Sequence, residues 1–400
     1  MRIGFDGTCL ANRRGFGRFS RLLLDALARH APRDLELVVF LDRPSAGSVT
    51  LPGGVHPAIV ELDRAPAEAA SASGRRRIKD MLAMSRAVAR AKLDVMYFPA
   101  TYTFFPVWNV PRLVVTMHDT LALAHPDLVF PTRGGRLAWL LKEHVAARTA
   151  DRIVTVSETS RRDLQSWFGL PADRLRVVTE GPAPVFRPQG NRLASELVLD
   201  RYGIPADSRY FVYVGGLSPH KNLPRLVEAF ARVAGPGVLL VIVGDFGDVF
   251  HTDVASIRVA IDRHGLSANV ILPGFVPDED LVHLYSRAMA VVQPSLMEGF
   301  GLPPVEAMAC GVPVAASRAG SLPEIVGDAG LLFDPTDIES IADALRSIRD
   351  DSPLRERLAA LALDRSRRFS WDLAARQLLD CFLEFVPDDG RRSGDGRKAG

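Results

Sequence analysis

Short runs of β-branched and aromatic residues alternate with longer amphipathic stretches along the whole chain, and this alternation restricts the fold more than any other feature. In the first half, RIGF, LELVVFL, VMYF, RLVVTMH and RIVTVS read as buried strands, separated by helical stretches such as Arg18–His30 and Arg133–Thr149. Strands that are apolar at successive positions are covered on both faces, the habit of parallel sheets flanked by helices. The pattern stops at Glu180–Gly190, where GPAPVFRPQG carries three prolines and two glycines and reads as a hinge over 181–190. It restarts with RYFVYVGG, VLLVIVG, NVILPGF, AVVQPS, VPVAAS and GLLFD. The expectation is an α/β chain of two doubly wound domains, residues 1–185 and 190–369, facing each other across a cleft.

Composition agrees with two domains. The 400 residues exceed one ordinary α/β domain, and 47% hydrophobic against 24% charged residues supply ample core. Net charge is +2 from 49 basic and 47 acidic side chains, so no global field favours nucleic acid and no such partner is expected. Cys9, Cys310 and Cys381 are scattered and form no CxxC pair, which argues against a disulfide framework and thiolate metal ligation. A reducing cytoplasm is the expected location. No signal peptide and no apolar run of bilayer length is read. Ser370 caps a last helix, 370–386, with an apolar stripe of Trp371, Ala374, Leu378, Phe382 and Phe385. The polar, glycine-rich tail 387–400 reads as disordered, and the Ala/Ser/Arg-rich residues 64–79 as a mobile loop.

In open α/β sheets ligands bind beyond the carboxyl ends of the strands, so the segments that follow strands carry the chemistry. The strongest is PSLMEGFGLPPVEAMACGVPV. Glu298 follows a strand; Gly299, Phe300, Gly301 and Leu302 lead into a helix opened by Pro303 and Pro304, with Glu306 expected in its first turn. The glycines let a ligand approach the backbone, and the helix start offers free N–H groups and partial positive charge to a diphosphate. Glu298 is placed to reach a sugar hydroxyl, and Glu306 to accept from ribose hydroxyls. The bland alternatives are a dipole-complementing carboxylate at Glu306 and a tight turn at Gly299 and Gly301.

E298-GFGLPPV-E306, two glutamates with seven residues between them, resembles the signature of glycosyltransferase family 4. Those are retaining enzymes of the GT-B fold, two Rossmann-like doubly wound domains with the active site between them, and the resemblance runs over roughly residues 1–386. It implies that Glu298 lies by the donor sugar and Glu306 by the donor's ribose, with the amides of Phe300, Gly301 and Leu302 alongside. It also implies that the last helix crosses back onto the first domain.

Further segments fit that resemblance. In YVGGLSPHKNLPRLVEAF, Gly215 and Gly216 end a strand and Lys221 precedes a helix, where a lysine neutralises a departing diphosphate by point charge. An ordinary surface lysine is the alternative, though the helix dipole disfavours a cation there. Relatives often carry an arginine where this chain has Gly216 or His220, which makes His220 a candidate second phosphate partner. In RLVVTMHDTLAL, His118 follows a buried strand beside Asp119. The resemblance places this histidine at the donor sugar; Asp119 would orient the imidazole or bind an acceptor hydroxyl. In NRRGFGRFSRLLLDAL, Gly15 and Gly17 resemble the family's N-terminal glycine loop. A dinucleotide fingerprint completed by Asp42 is the rival, weakened because Ser20 stands where a third glycine belongs. Gly244, Phe275 and Val276 fall in segments that resemble the nucleobase loops. Asp245 and Asp248 suggest a metal pair but read better as turn residues. The family is typically metal-independent, so no metal or other cofactor is expected. Pro323 and Glu324 read as structural.

The expected activity is transfer of a hexose, mannose by similarity of the HKN and HD segments, from GDP-mannose or another nucleoside-diphosphate sugar to a glycan or lipid-linked saccharide. A nucleotide-sugar epimerase of the same fold and an inactive nucleotide-binding protein are the alternatives. The basic stretch Gly74–Lys92, with five arginines and two lysines among apolar positions, allows peripheral membrane contact; a solvated helix face explains it equally well.

Overall fold

The computed structural model describes residues 1–12, 15–62, 77–130, 132–246 and 252–385. Two all-parallel sheets form its frame. The first holds β1 (Arg2–Asp6), β2 (Glu36–Asp42), β3 (Val55–Val60), β4 (Val95–Phe98), β5 (Arg112–Thr116), β6 (Arg152–Thr155) and β7 (Leu175–Val177). Its order is β3-β2-β1-β4-β5-β6-β7. The second holds β8 (Arg209–Val214), β9 (Val238–Val243), β10 (Val270–Gly274), β11 (Ala290–Gln293), β12 (Val314–Ser317) and β13 (Gly330–Phe333), in the order β10-β9-β8-β11-β12-β13. Each sheet reverses its winding at one point, between β1 and β4 and between β8 and β11. Such switch points open a crevice at the strand ends.

Residues within the strands explain the layering. β9, VLLVIV, is buried at all six positions, as a central parallel strand covered on both faces must be. The edges differ. β3, VHPAIV, is half exposed and contains Pro57, which only an edge strand tolerates, and β7 has three residues. Neither stands among the strands expected from the sequence. Helix Gly15–His30 begins three residues before the expected Arg18, and Gly17 is the reason the chain can turn there. A Cβ on Gly17 would lie 1.8 Å from the carbonyl oxygen of Asn12.

The last helix, Trp371–Leu383, packs on the first half of the molecule. Trp371 meets Phe19 edge-on at 5.7 Å and Phe382 meets Tyr97 at 5.6 Å. Burial of side chains this size contributes about 1.5–3 kcal/mol each. Polar contacts fix its ends: Asp372 pairs with Arg29 (2.8 Å), and Glu384 with Arg152 (3.0 Å) and Arg176 (2.8 Å). The two segments that join the halves cross backbone to backbone, since a Cβ on Gly181 would fall 2.6 Å from Ser370 Cα. Among the described residues no helix is long and apolar enough to cross a membrane. Most of the 64–79 segment and the tail 387–400 lie outside the described residues; residues 78 and 79 begin the helix Ile78–Arg90 rather than a loop.

Candidate active site

The loops after β8 and β11 meet at the switch point of the second sheet. Lys221 ends a short 3₁₀ turn, Pro219–Lys221, and its Nζ donates to Glu298 Oε1 at 2.6 Å. The same oxygen accepts from Gln293 Nε2 (2.7 Å) and Ser295 Oγ (2.6 Å). Burial pushes the Glu298 carboxyl up, but the charge of Lys221 and the hydrogen bonds from Lys221 and Ser295 outweigh burial and hold it below the usual range. Glu298 is therefore an anion with one oxygen triply held. Gln293 closes a strand, AVVQ, that is otherwise apolar, and a polar residue in that place is the signal sequence reasoning passed over.

His220 sits beside the pair. Burial, with Lys221 next, lowers its pKa to about 3, so the ring is neutral near pH 7. A neutral ring at this place would meet a phosphate oxygen by a hydrogen bond, and its buried Nδ1 has no partner among the described residues. Gly215 (φ +152°) passes Gly244 closely, because a Cβ on Gly244 would lie 2.6 Å from the Gly215 carbonyl oxygen. The Gly216 carbonyl accepts from Tyr213 OH at 2.5 Å. At the end of β10, Val276 is buried and Phe275 is 59% exposed. Phe275 lies just beyond the strand, which ends at Gly274.

Gly299, Phe300 and Gly301 lead into the helix Leu302–Ala309, with Gly301 at φ +109°. No acidic residue occupies the first turn; Glu306 lies in the second. Its expected first-turn place, and with it the dipole-complementing alternative, is corrected. Glu306 is 2% exposed, lies 2.8 Å from Arg18 Nη2, and accepts from Tyr285 OH at 3.3 Å. Burial leads the forces that raise its pKa to about 7, with Arg18 opposing. Arg18 belongs to helix Gly15–His30 of the first sheet's half and also donates to Asp278 at 2.9 Å. It is the principal site residue that sequence reasoning missed, because its partners lie far along the chain.

The first half faces this loop through the turn after β5. A Cβ on Gly299 would fall 2.8 Å from the His118 carbonyl oxygen and 3.0 Å from Asp119 Oδ2. His118 Nε2 lies 3.0 Å from the Pro99 carbonyl and Nδ1 3.7 Å from Glu180 Oε1, between the rings of Phe16 and Phe19. Asp119 Oδ1 accepts from Leu121 N at 2.8 Å, and burial raises its pKa. Orientation of the imidazole by Asp119 is thus corrected: Pro99 and Glu180 hold the ring. Gly15 opens the first helix in open space, since a Cβ there would meet nothing within 4 Å, unlike one on Gly17. Asp42 caps a short turn through Ser45 N (3.0 Å), which removes it from the rival dinucleotide role. Among the described residues no group of three or more His, Cys, Asp or Glu is arranged to hold a metal; Asp248 lies outside them.

Comparison with known proteins decides the family. Residues 196–364 match the family described as "Glycosyl transferases group 1", and residues 14–181 the one described as "Glycosyltransferase Family 4". The O-antigen chain mannosyltransferase B of Escherichia coli is 34% identical over 287 residues, 70% of this chain and 72% of that protein. The chain belongs to glycosyltransferase family 4. A D-inositol 3-phosphate glycosyltransferase of Acidothermus cellulolyticus is 34% identical over 70% of this chain, which spans 63% of that enzyme. Sucrose-phosphate synthase from Thermosynechococcus elongatus superposes with TM-score 0.74 at 20% identity, over 96% of this chain and 98% of that one. WaaG, a glycosyltransferase involved in lipopolysaccharide biosynthesis, gives 0.71 at 15% identity over 95% and 99%. The fold is GT-B, and the family 4 chain is a glycosyltransferase.

Proposed function

We propose that this glycosyltransferase moves mannose from GDP-mannose to a hydroxyl of a glycan or lipid-linked saccharide, with retention of anomeric configuration. The observation that carries the donor site is the Lys221–Glu298 pair at the β8/β11 switch point, next to the Gly301 and Leu302 amides that open helix Leu302–Ala309 before Pro303 and Pro304. The choice of mannose rests on the mannosyltransferases named among the relatives. In this reading the diphosphate lies at that helix start, with Lys221 as its point charge and no metal ion required. Glu298 meets a sugar hydroxyl and Glu306 the ribose.

A double displacement needs two carboxylates facing across the bond, about 5 Å apart. Glu298 and Glu306 meet different parts of the donor in this reading and do not form that pair. Transfer on one face fits better. The bond from C1 to the phosphate oxygen breaks as the bond from C1 to the acceptor oxygen forms, and the acceptor proton passes to the leaving diphosphate. Positioning and charge stabilisation supply most of the rate.

We place the protein in the cytoplasm, where its three free, buried cysteines stay reduced. Peripheral membrane contact is assigned to helix Ile78–Arg90, whose Ile78 is 71% and Leu82 39% exposed beside Lys79, Arg86 and Arg90. Flotation with anionic vesicles tests that contact; protein left wholly in the supernatant contradicts it.

The function is tested by incubating the protein with GDP-mannose and a panel of saccharide acceptors, following GDP release and the anomeric proton of the product. An α-mannoside is the expected product. Turnover of UDP- or ADP-sugars alone overturns the donor choice, and a β-linked product overturns retention.

A further inference from the structure

The loop that carries Glu298 is held partly from the opposite half of the molecule. The Glu298 carbonyl accepts from Ser321 N and Ser321 Oγ, both at 3.1 Å, and the Phe300 carbonyl from Ser321 Oγ at 2.7 Å. Those donors belong to the same half as the loop. The Gly299 carbonyl is different. It accepts from Ser157 Oγ at 2.8 Å and Ser160 Oγ at 3.2 Å, at the start of helix Glu158–Phe168 in the first half.

That contact matters because of where it falls. A peptide unit is planar, so fixing the Gly299 carbonyl fixes the direction of the Phe300 N–H. The unit joins Gly299 to Phe300, so on its Gly299 side no Cβ restrains it. Two side-chain hydrogen bonds hold its carbonyl, and both come across the cleft.

A carboxylate secures the same junction. Glu324 Oε1 accepts from Glu158 N at 2.9 Å, and Oε2 from Thr159 N at 2.9 Å and Thr159 Oγ1 at 3.0 Å. Ser157 Oγ takes the next amide, Ser160 N, at 3.0 Å. The first amides of this helix are therefore met by its own cap and by an anion supplied from the other half. Amides at a helix start have no partner within the helix, and an anion there gains up to about 2 kcal/mol from the dipole. Both sets of contacts lie between the halves, so parting the halves would break them together. Glu324 also sits three residues after Ser321, so the latch and the loop share one scaffold.

We propose that Ser157, Ser160 and Glu324 form an interdomain latch that sets the Gly299–Phe300 peptide plane, so the donor loop reaches working geometry only when the halves are closed. They are positioning residues. The inference rests on the reading of the Glu298 loop as the donor site. Its consequence is that an open molecule binds nucleotide sugar without being competent to cleave it, which limits loss of donor to water.

The test uses the full chain with Glu324→Ala, the double variant Ser157→Ala/Ser160→Ala, and Glu298→Ala as the site control. Nucleotide binding is measured by calorimetry, turnover by GDP or UDP release with acceptor present, and closure by hydrogen exchange at residues 158–160. The latch predicts kcat lower by tenfold or more in both latch variants, nucleotide Kd within threefold of the parent, and faster exchange at 158–160. Glu324→Gln, which keeps one good acceptor and the side-chain shape, should fall between parent and Glu324→Ala. Parent-like kcat in folded Glu324→Ala and in the serine variant overturns the latch. If Glu324→Ala does not fold, parent-like kcat in both Glu324→Gln and the serine variant overturns it. The two failures are distinguishable: parent-like turnover in Glu298→Ala removes the site reading itself, whereas a dead Glu298→Ala beside parent-like latch variants removes the latch alone.

Discussion

Replacing Lys221 by alanine removes the cation from a carboxylate that stays enclosed. The side chains of Lys221 and Glu298 are 16% and 13% exposed, and their charged atoms are 2.6 Å apart. At an effective dielectric of about 20 that separation gives roughly 6 kcal/mol of gross attraction. Desolvation of both groups offsets much of it. Breaking a buried pair by removing one partner nevertheless costs about 3–5 kcal/mol, because the other charge stays behind. Gln293 and Ser295 still donate to Glu298, so the lower end, about 3 kcal/mol, is the expected loss of stability. Without the lysine, burial dominates the Glu298 carboxyl and its pKa rises above the usual range. Turnover should fall by about 100-fold, near 2.7 kcal/mol of barrier, since the diphosphate also loses its point charge. Denaturant unfolding and steady-state kinetics read the two effects separately. The double variant Lys221→Met/Glu298→Gln separates them further: it should regain most of the stability and none of the activity. A single variant that keeps both stability and turnover within twofold refutes this, and so does a double variant that recovers turnover.

Other expectations follow from the same contacts. Gly299→Ala puts a methyl 2.8 Å from the His118 carbonyl oxygen, so the halves must part; kcat should drop at least tenfold while the unfolding transition moves little. Glu306, with a pKa of about 7 against an ordinary 4.5, binds its proton more tightly folded than unfolded. Its stabilising contribution is therefore complete below 4.5 and lost as pH rises through 7, and Glu306→Gln should flatten the fall of Tm across that window. The same ionisation, with the ionised form accepting from the ribose, should make donor KM improve as pH rises towards 7 in the parent and not in Glu306→Gln.

The parts of the fold visible in the sequence are those governed by local periodicity. The buried central strands of both sheets, such as RIGF and VLLVIV, announce themselves by uninterrupted apolar runs. The edge strands Val55–Val60 and Leu175–Val177 do not, because exposure and Pro57 dilute one and brevity hides the other. The site divides in the same way. Glu298, Lys221 and His118 each follow a strand, and the strand-end rule points to them as candidates. Arg18 and Glu324 act only through partners in the other half: Arg18 meets Asp278 at a separation of 260 residues, and Glu324 meets Thr159 at 165. A spacing of that size leaves no local pattern, and the helix start at Glu158 looks complete once Ser157 caps it. The protonation of His220 is hidden for a related reason, since the burial that leads the lowering of its pKa to about 3 arises only in the packed fold.

The donor site stands or falls on whether Lys221 and the start of helix Leu302–Ala309 hold the diphosphate of a sugar nucleotide. Calorimetric titration of GDP, UDP and ADP into the parent and into Lys221→Ala answers this without any acceptor. GDP should bind the parent best, and should bind Lys221→Ala at least about tenfold more weakly, near 1.4 kcal/mol. Equal affinity in the two proteins, or no binding of any of the three nucleotides to the parent, would contradict it.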